Sequence, residues 1–143
     1  MRVILLIMIG FGLHANDGFS KIFLLDNNSS SLVKLEVVRS YKDRVRGLAG
    51  VKNIGWDEGM LFEYKEEQMR SIWMKNMLMP LDIVFLSQDK KVILLVQNAQ
   101  PCQDKECEIY SAKGVRYIIE LKSGYIQKYN ISKSSQIDIE DKP

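Results

Sequence analysis

The residues best suited to chemistry gather in one stretch of the sequence, SIWMKNMLMPLDIVFL (71–86). In an extended segment successive side chains point to opposite faces, which places Trp73 and Lys75 together and Met74 and Asn76 on the other side. The Trp73 ring beside the Lys75 cation would form a surface that attracts an anionic small molecule. The spacing therefore indicates a candidate anion-accepting site.

Asp82 stands at the start of the apolar run that follows this stretch. An ionised carboxylate at the mouth of a buried strand requires a partner, and Lys75, Arg44 and Arg46 are the available cations. One interpretation is an internal ion pair that fixes the start of the strand, with Trp73 covering the core. The other interpretation is a pocket with Trp73 at its base, in which a Lys or Arg binds an anionic ligand.

Carboxylate chemistry is the enzymatic alternative. Glu120 lies in the apolar run YIIEL, and with Asp82 it forms the pair that glycosidase-type catalysis needs, provided that both carboxyls lie within about 10 Å across a cleft. A bridge from Glu120 to Arg116 or to a lysine is the structural alternative. The residue types favour a non-catalytic role.

The single histidine, His14, lies near the N-terminus, inside a segment that has the pattern of a secretory signal. Residues 1–15 begin with the charge of Arg2, continue with an apolar run from Val3 to Leu13, and end in the small residue Ala15. As a helix this run would reach roughly 16 Å, about half the thickness of the hydrocarbon layer. We predict cleavage after Ala15 and export to the periplasm or the extracellular space.

A mature chain without histidine has a restricted chemistry. It contains neither a Ser-His nor a Cys-His pair, and no His-ligated zinc or copper site. We therefore predict no metal and no cofactor. The 20 basic and 18 acidic residues are interspersed, so composition does not point to nucleic acid. No further apolar run has transmembrane length, and the expected partner is a small molecule or an envelope protein.

Four methionines, Met69, Met74, Met77 and Met79, permit a third interpretation of the stretch, because thioethers are soft ligands for Cu(I). Methionine is also an ordinary core residue that fills gaps. Strand alternation places Met77 and Met79 on the face opposite Met74, which argues against one shared copper site.

Cys102 and Cys107 are the only cysteines of the sequence, spaced C-x4-C in the polar segment PCQDKECEIY. In an exported protein such a pair predicts a disulfide, which stabilises a small loop by roughly 2 kcal/mol. A redox pair or part of a metal site are the alternatives. Loops closed by a disulfide often border binding surfaces, and Tyr110, directly after this loop, is a candidate ligand contact.

The rest of the chain consists of short apolar runs separated by turn residues. We predict strands at KIFLLD, LVKLEVVR, GMLFEY, DIVFLS, KVILLVQNA, VRYIIEL and 136–139, with one capped helix after Ser40 and a second short helix at YIQKYNI. Runs such as DIVFL and VILLV are apolar on both faces, which is typical of strands covered on both sides. The predicted fold is mainly β, a single-domain sandwich or barrel over 16–139, followed by a disordered tail at 140–143.

The order RVRGLAG, GMLFEY, WMKNMLMPLDIVFL, QNAQPC and YSAKGVRYIIELKSGY resembles the domain of unknown function 192 family. The match covers roughly Leu32 to Ile139, and its WMKN–PLD string is specific. The resemblance implies a small β-rich domain, often exported, without an assigned activity. This chain departs from the family pattern at Ala49, Met77, Met79 and Ser134-Ser135.

These observations predict an exported, non-catalytic binding or accessory module of the bacterial envelope, with an anion-accepting cleft near Trp73, Lys75 and Asp82. A carboxylate-based enzyme and a structural or protein-interaction domain are the alternatives. The candidate ligand-binding residues are Arg46, Trp73, Lys75, Asn76, Asp82, Tyr110 and Glu120.

Overall fold

Seven strands and two short helices make up the computed structural model, which describes residues 19–26 and 29–141. The strands are β1 Phe19–Asp26, β2 Ser29–Val38, β3 Glu58–Trp73, β4 Leu81–Leu86, β5 Val92–Ala99, β6 Ile109–Lys122 and β7 Gln136–Asp141. The helices are α1 Tyr41–Arg46 and α2 Tyr125–Lys128. The predicted leader, residues 1–15, lies outside the described residues.

The strands form one mixed sheet in the order β5-β4-β6-β3-β2-β1-β7. The pairing of β2 with β3 is parallel, and the other pairings of this sheet are antiparallel. The prediction of a mainly-β single domain with two short helices is confirmed. Its strands join a single sheet, whereas a sandwich would divide them between two.

Both faces of the sheet are covered by apolar side chains, as the continuous apolar runs predict. The inner core cluster includes Val84 and Ile119, and the outer core cluster includes Ile83 and Ile118. All six residues of β4 are buried, because this strand contributes side chains to both clusters. The sheet is strongly curved, because Val92 of β5 and Ile137 of β7 belong to the same inner core cluster although their strands are the two edges.

The helix α1 begins where the sequence predicts it. The Ser40 hydroxyl accepts a hydrogen bond from the Asp43 amide at 3.1 Å, which satisfies one of the free N–H groups of the first turn. The helix ends at Gly47, whose φ of 50° belongs to the left-handed region that glycine adopts at little cost. Residues 48–57 then lead back to the sheet across its outer face.

Two strands are much longer than the apolar runs that predicted them. β3 continues past GMLFEY to Trp73, and β6 begins at Ile109, six residues before VRYIIEL. Their outer halves pair with each other after an irregular register between Glu63 and Gln68. This polar two-stranded extension borders the cleft described below.

The end of the chain also differs from the prediction. Glu140 and Asp141 were expected in a disordered tail, yet they belong to β7 and pair with Lys21 and Ser20 of β1. The edge of β1 offers backbone partners for these residues, which a polar composition does not reveal. Among the described residues, no helix has the length and apolar character needed to cross a bilayer.

Candidate functional site

A cleft of about 510 Å³ lies on the outer face of the sheet. Helix α1 and the turn after it form one side, and the extension of β3 forms the other. The crossover segment, which we define as residues 74–80 between β3 and β4, contributes Lys75 and Met77. The polar and charged lining residues with long side chains are Arg44, Arg46, Tyr64, Arg70, Lys75 and Glu120.

Glu120 is the acidic member of this set and is 3% exposed. It lies on β6 between Met60 of β3 and Ile83 of β4, both of which belong to the outer core. Burial raises the pKa of Glu120 to about 8. Its Oε2 atom has no hydrogen-bond partner among the described residues. At neutral pH this side chain is therefore an uncharged carboxylic acid that lines the cleft and has an O–H to donate.

Two arginines gather around Tyr64. The guanidinium carbon of Arg44 lies 4.7 Å from the centre of the Tyr64 ring, and that of Arg70 lies 4.0 Å from it. Burial raises the pKa of Tyr64, the charges of the two arginines lower it in part, and Glu120 contributes a further rise. The Tyr64 hydroxyl is therefore protonated at neutral pH, and all three groups lie close enough to influence it.

One arginine of this cluster, Arg70, retains an unused donor. Arg44 donates to the carbonyl of Arg39, and Arg70 donates from Nη2 to the carbonyl of Glu66 at 3.0 Å. The buried Nε–H of Arg70 has no acceptor within the described part of the chain. A buried N–H without an acceptor costs free energy, which an incoming oxygen atom would recover.

Trp73 and Lys75 form the exposed end of the cleft, as the alternation in the sequence predicts. The Lys75 ammonium lies 5.4 Å from the centre of a Trp73 ring, within the range of a cation–π interaction. Trp73 is half exposed. Arg46 extends from the α1 side, where its guanidinium lies 4.0 Å from the Asp43 carboxylate. This exposed pair is weak.

The loop between β5 and β6 holds the crossover segment in place. Cys102 and Cys107 form the predicted disulfide within this loop. The Cys102 amide donates to the Met74 carbonyl at 3.0 Å, and the Asn76 amide donates to the Cys102 carbonyl at 3.1 Å. The disulfide loop therefore fixes the backbone on both sides of Lys75.

The chain turns sharply at Asn76, which overturns one prediction about the methionines. Asn76 has a φ of 61°, a left-handed conformation that asparagine tolerates better than most residues. Because of this turn, Met74, Met77 and Met79 all enter the outer core, whereas alternation predicted opposite faces. They pack with apolar neighbours there, and Met69 is exposed.

Asp82 is buried on the inner face of the sheet. Its Oδ1 accepts from the Asn98 amide and its Oδ2 from the Ile126 amide, each at 2.8 Å. The prediction that a Lys or Arg neutralises this carboxylate is wrong. Two backbone N–H groups satisfy it instead, because the start of α2 and the end of β5 both lie beside the first residues of β4.

The two carboxyls of the predicted enzymatic pair therefore lie on opposite faces of the sheet. Asp82 shares its face with Val84 of the inner core, and Glu120 shares its face with Ile118 of the outer core. A single cleft does not contain both, so the arrangement does not form the acid–base pair that the alternative requires.

The sequence matches the model of the family DUF192, described as "Uncharacterized ACR", over residues 23–139. The chain belongs to the DUF192 family. No curated protein is detectably similar to it in sequence. Two similar solved structures, both under 25% identical, show that the fold is shared.

The first structure, from Sinorhizobium meliloti 1021, is described as that of a suggested transcription regulator. It has a TM-score of 0.79 and 24% identity, and the match covers 85% of this chain and 94% of the other. The second is a protein of unknown function from Novosphingobium aromaticivorans DSM 12444. It has a TM-score of 0.77 and 22% identity, with 84% of each chain covered.

The departures from the DUF192 pattern have structural explanations. Ala49 and the crossover methionines pack against the outer core. Ser135 is buried in a turn, where its hydroxyl accepts from the Ser132 amide at 2.9 Å. Ser132 hydrogen-bonds to both Ser134 and Ser135, so this turn is ordered although its sequence departs from the family pattern.

Four of the seven predicted ligand-binding residues line the cleft: Arg46, Trp73, Lys75 and Glu120. Asn76 turns the crossover segment, Asp82 is on the opposite face, and the Tyr110 hydroxyl donates to Glu108 at 2.9 Å. Sequence reasoning missed Tyr64 and Arg70, and it considered Arg44 only as a partner of Asp82. Tyr64 ends the predicted strand GMLFEY, and the polar run after it, which contains Arg70, gave no sign that it continues the strand.

Proposed function

We propose that this DUF192 protein is a non-catalytic binding module whose cleft accepts an anionic small molecule. The observation that carries the proposal is the charge of the cleft. Four cationic side chains line it, from Arg44, Arg46, Arg70 and Lys75, and Glu120 is the acidic residue of the described lining. Because burial keeps Glu120 uncharged at neutral pH, these cations have no opposing charge within the lining.

Anion binding relieves two costs in the cleft. Like charges that share a cavity repel one another, and the repulsion is stronger where water is partly excluded. The buried Nε–H of Arg70 also lacks an acceptor. An oxyanion supplies both negative charge and acceptor atoms, and a guanidinium binds it through a planar fork of N–H donors.

The proposal is tested by titration calorimetry with phenylacetate and with its neutral analogue phenylacetamide. We expect the anion to bind at least tenfold more tightly. An Arg44→Gln/Arg70→Gln double variant is expected to remove this preference. Lys133→Gln is the matched control, because it removes an exposed positive charge outside the cleft. Equal affinities for acid and amide, or an unchanged preference in the double variant, would contradict the proposal.

We further propose that the protein acts outside the cytosol, in the bacterial envelope. The disulfide supports this, because such bonds persist in oxidising compartments. The leader-like residues 1–15 are the second support. Mass spectrometry of the protein recovered from the periplasm is expected to give a chain that begins at Asn16. A chain that retains Met1 and stays in the cytosol would refute this localisation.

A further inference from the structure

Exposed apolar side chains concentrate at the rim of the cleft. Eight large hydrophobic side chains are exposed in the part of the chain whose side chains are described. Five of them line this one cleft: Tyr41, Val45, Met69, Trp73 and Ile109. A concentration of exposed apolar groups at one place marks a binding surface, whereas scattered ones need no explanation.

The polar groups deeper in the cleft supply mostly hydrogen-bond donors at neutral pH, and only the Tyr64 hydroxyl and the carboxyl group of Glu120 can also accept. The Oε2 atom of Glu120 and the buried Nε–H of Arg70 both lack partners in the described structure. Arg44 and Lys75 add N–H groups that cannot accept a hydrogen bond. The matching ligand group is one that only accepts, and a carboxylate has this property.

We propose that the ligand is a small amphipathic carboxylate, bound between Glu120 and the Arg70 guanidinium with its apolar body against Trp73 and the rest of the rim. This inference rests on the proposed function and specifies the ligand class. The uncharged Glu120 donates its proton in a hydrogen bond to one ligand oxygen, while Arg70 donates from Nε to the other. A carboxylate fits better than a phosphate monoester, because desolvating one negative charge beside an apolar core costs less than desolvating two.

The protonation of Glu120 makes binding depend on pH. The groups around it are Arg44 and Arg46 from the α1 side, Tyr64 and Arg70 from β3, and Lys75 from the crossover segment, while β4 presents the apolar Ile83. Burial raises the pKa of Glu120 to about 8, so the charge of this side chain changes between pH 6 and pH 9.5. Once ionised, Glu120 repels a bound carboxylate.

The experiment is a titration with butanoate, hexanoate and octanoate, together with inorganic phosphate, followed by the fluorescence of Trp73. A Trp56→Phe background leaves Trp73 as the single tryptophan. We expect the dissociation constant to fall about threefold for each methylene group, and phosphate to bind more weakly than octanoate. Above pH 8 the dissociation constant for octanoate is expected to rise up to tenfold per pH unit.

Two variants separate this inference from the proposed function. Glu120→Gln keeps a neutral donor, so it is expected to bind octanoate but to lose the rise above pH 8. Trp73→Ala lacks the reporting tryptophan, so its binding is measured by titration calorimetry; it is expected to reduce the dependence on chain length while keeping the preference for anions. If anions bind with equal strength at every chain length, or if Glu120→Gln keeps the pH response, the inference fails and the proposed function stands. If no anion binds in preference to neutral analogues, both fail.

Discussion

At the scale of single residues, Asp82 and Glu120 show how position gives two carboxyls opposite chemistry. Both are buried on central strands of one sheet. Asp82 accepts from two backbone N–H groups, which are the partners that an ionised carboxylate needs. Glu120 has apolar neighbours across both adjacent strands and is held in its acid form. The first is a structural group, and the second lines the cleft.

The role of Asp82 predicts a large loss of stability on its removal. Asp82→Ala leaves the amides of Asn98 and Ile126 without acceptors, at about 1–3 kcal/mol each. We expect the free energy of unfolding to fall by about 2–5 kcal/mol in urea denaturation. Asp138→Ala, at an exposed position of β7, is the control and should change it by less than about 0.5 kcal/mol. A small effect at Asp82 would show that other groups satisfy these amides.

Glu120 predicts a stability that falls as pH rises. The folded-state pKa of about 8 lies above the ordinary glutamate value of 4.5, so between these values the folded chain retains a proton that the unfolded chain has lost. The free energy of unfolding has its full value with respect to this group below pH 4.5. Between pH 4.5 and pH 8 it decreases by about 1.4 kcal/mol per pH unit, until Glu120 ionises in the folded state.

Comparison with Glu120→Gln isolates this effect, because glutamine does not titrate. We expect the variant to gain stability over the native protein from pH 5 to pH 8, by a few kcal/mol in total, with a constant difference above that range. Urea unfolding at a series of pH values measures it. Parallel stability curves for the two proteins would mean that Glu120 ionises normally.

At the scale of elements, the crossover segment depends on the disulfide loop. The bond between Cys102 and Cys107 closes a short ring, and Cys102 exchanges backbone hydrogen bonds with Met74 and Asn76 on either side of Lys75. The loop is therefore part of what positions the exposed end of the cleft. Its contribution has two components, the general stabilisation by a covalent ring and the local placement of the crossover segment.

A Cys102→Ser/Cys107→Ser double variant separates these components. We expect a loss of about 2 kcal/mol in the free energy of unfolding, from the chain entropy of the released ring. We also expect the Trp73 emission of the folded protein to shift, because the crossover segment after it is less constrained. Reduction of the native protein with dithiothreitol should reproduce both changes. A loss of stability without any change at Trp73 would mean that the hydrogen bonds alone hold the segment.

Local signals account for what the sequence could predict at this scale. The cap at Ser40, the β4–β5 hairpin and the disulfide each depend on residues that are close in sequence. The long β3–β6 extension could not be predicted, because its strands are largely polar and exposed and pair only through their tertiary position. Without that extension Arg70 has no assigned place, and Tyr64, at the end of the predicted strand GMLFEY, is not recognised as part of a cleft.

At the scale of the whole molecule, the curved sheet places Asp82 and the cleft on opposite faces, each with its own apolar core. Its inner face encloses a core that includes residues of both edge strands, and Asp82 holds α2 against that core. Its outer face contains the cleft, bordered by α1, the β3 extension and the crossover segment. The family and the mainly-β class followed from sequence patterns, whereas the face on which each carboxyl lies followed only from the strand register.

The central claim is that the cleft on the outer face binds an anion through Arg70 and Glu120. It is tested most directly by two-dimensional ¹H–¹⁵N NMR of the labelled protein during a titration with octanoate. We predict progressive shifts of the Arg70 Nε–H resonance and of the Gly47 amide beside Glu120, with the Gly124 amide near Trp56 unchanged as the internal control. Unshifted Arg70 and Gly47 signals at saturating octanoate, or shifts confined to the surroundings of Gly124, would contradict the account.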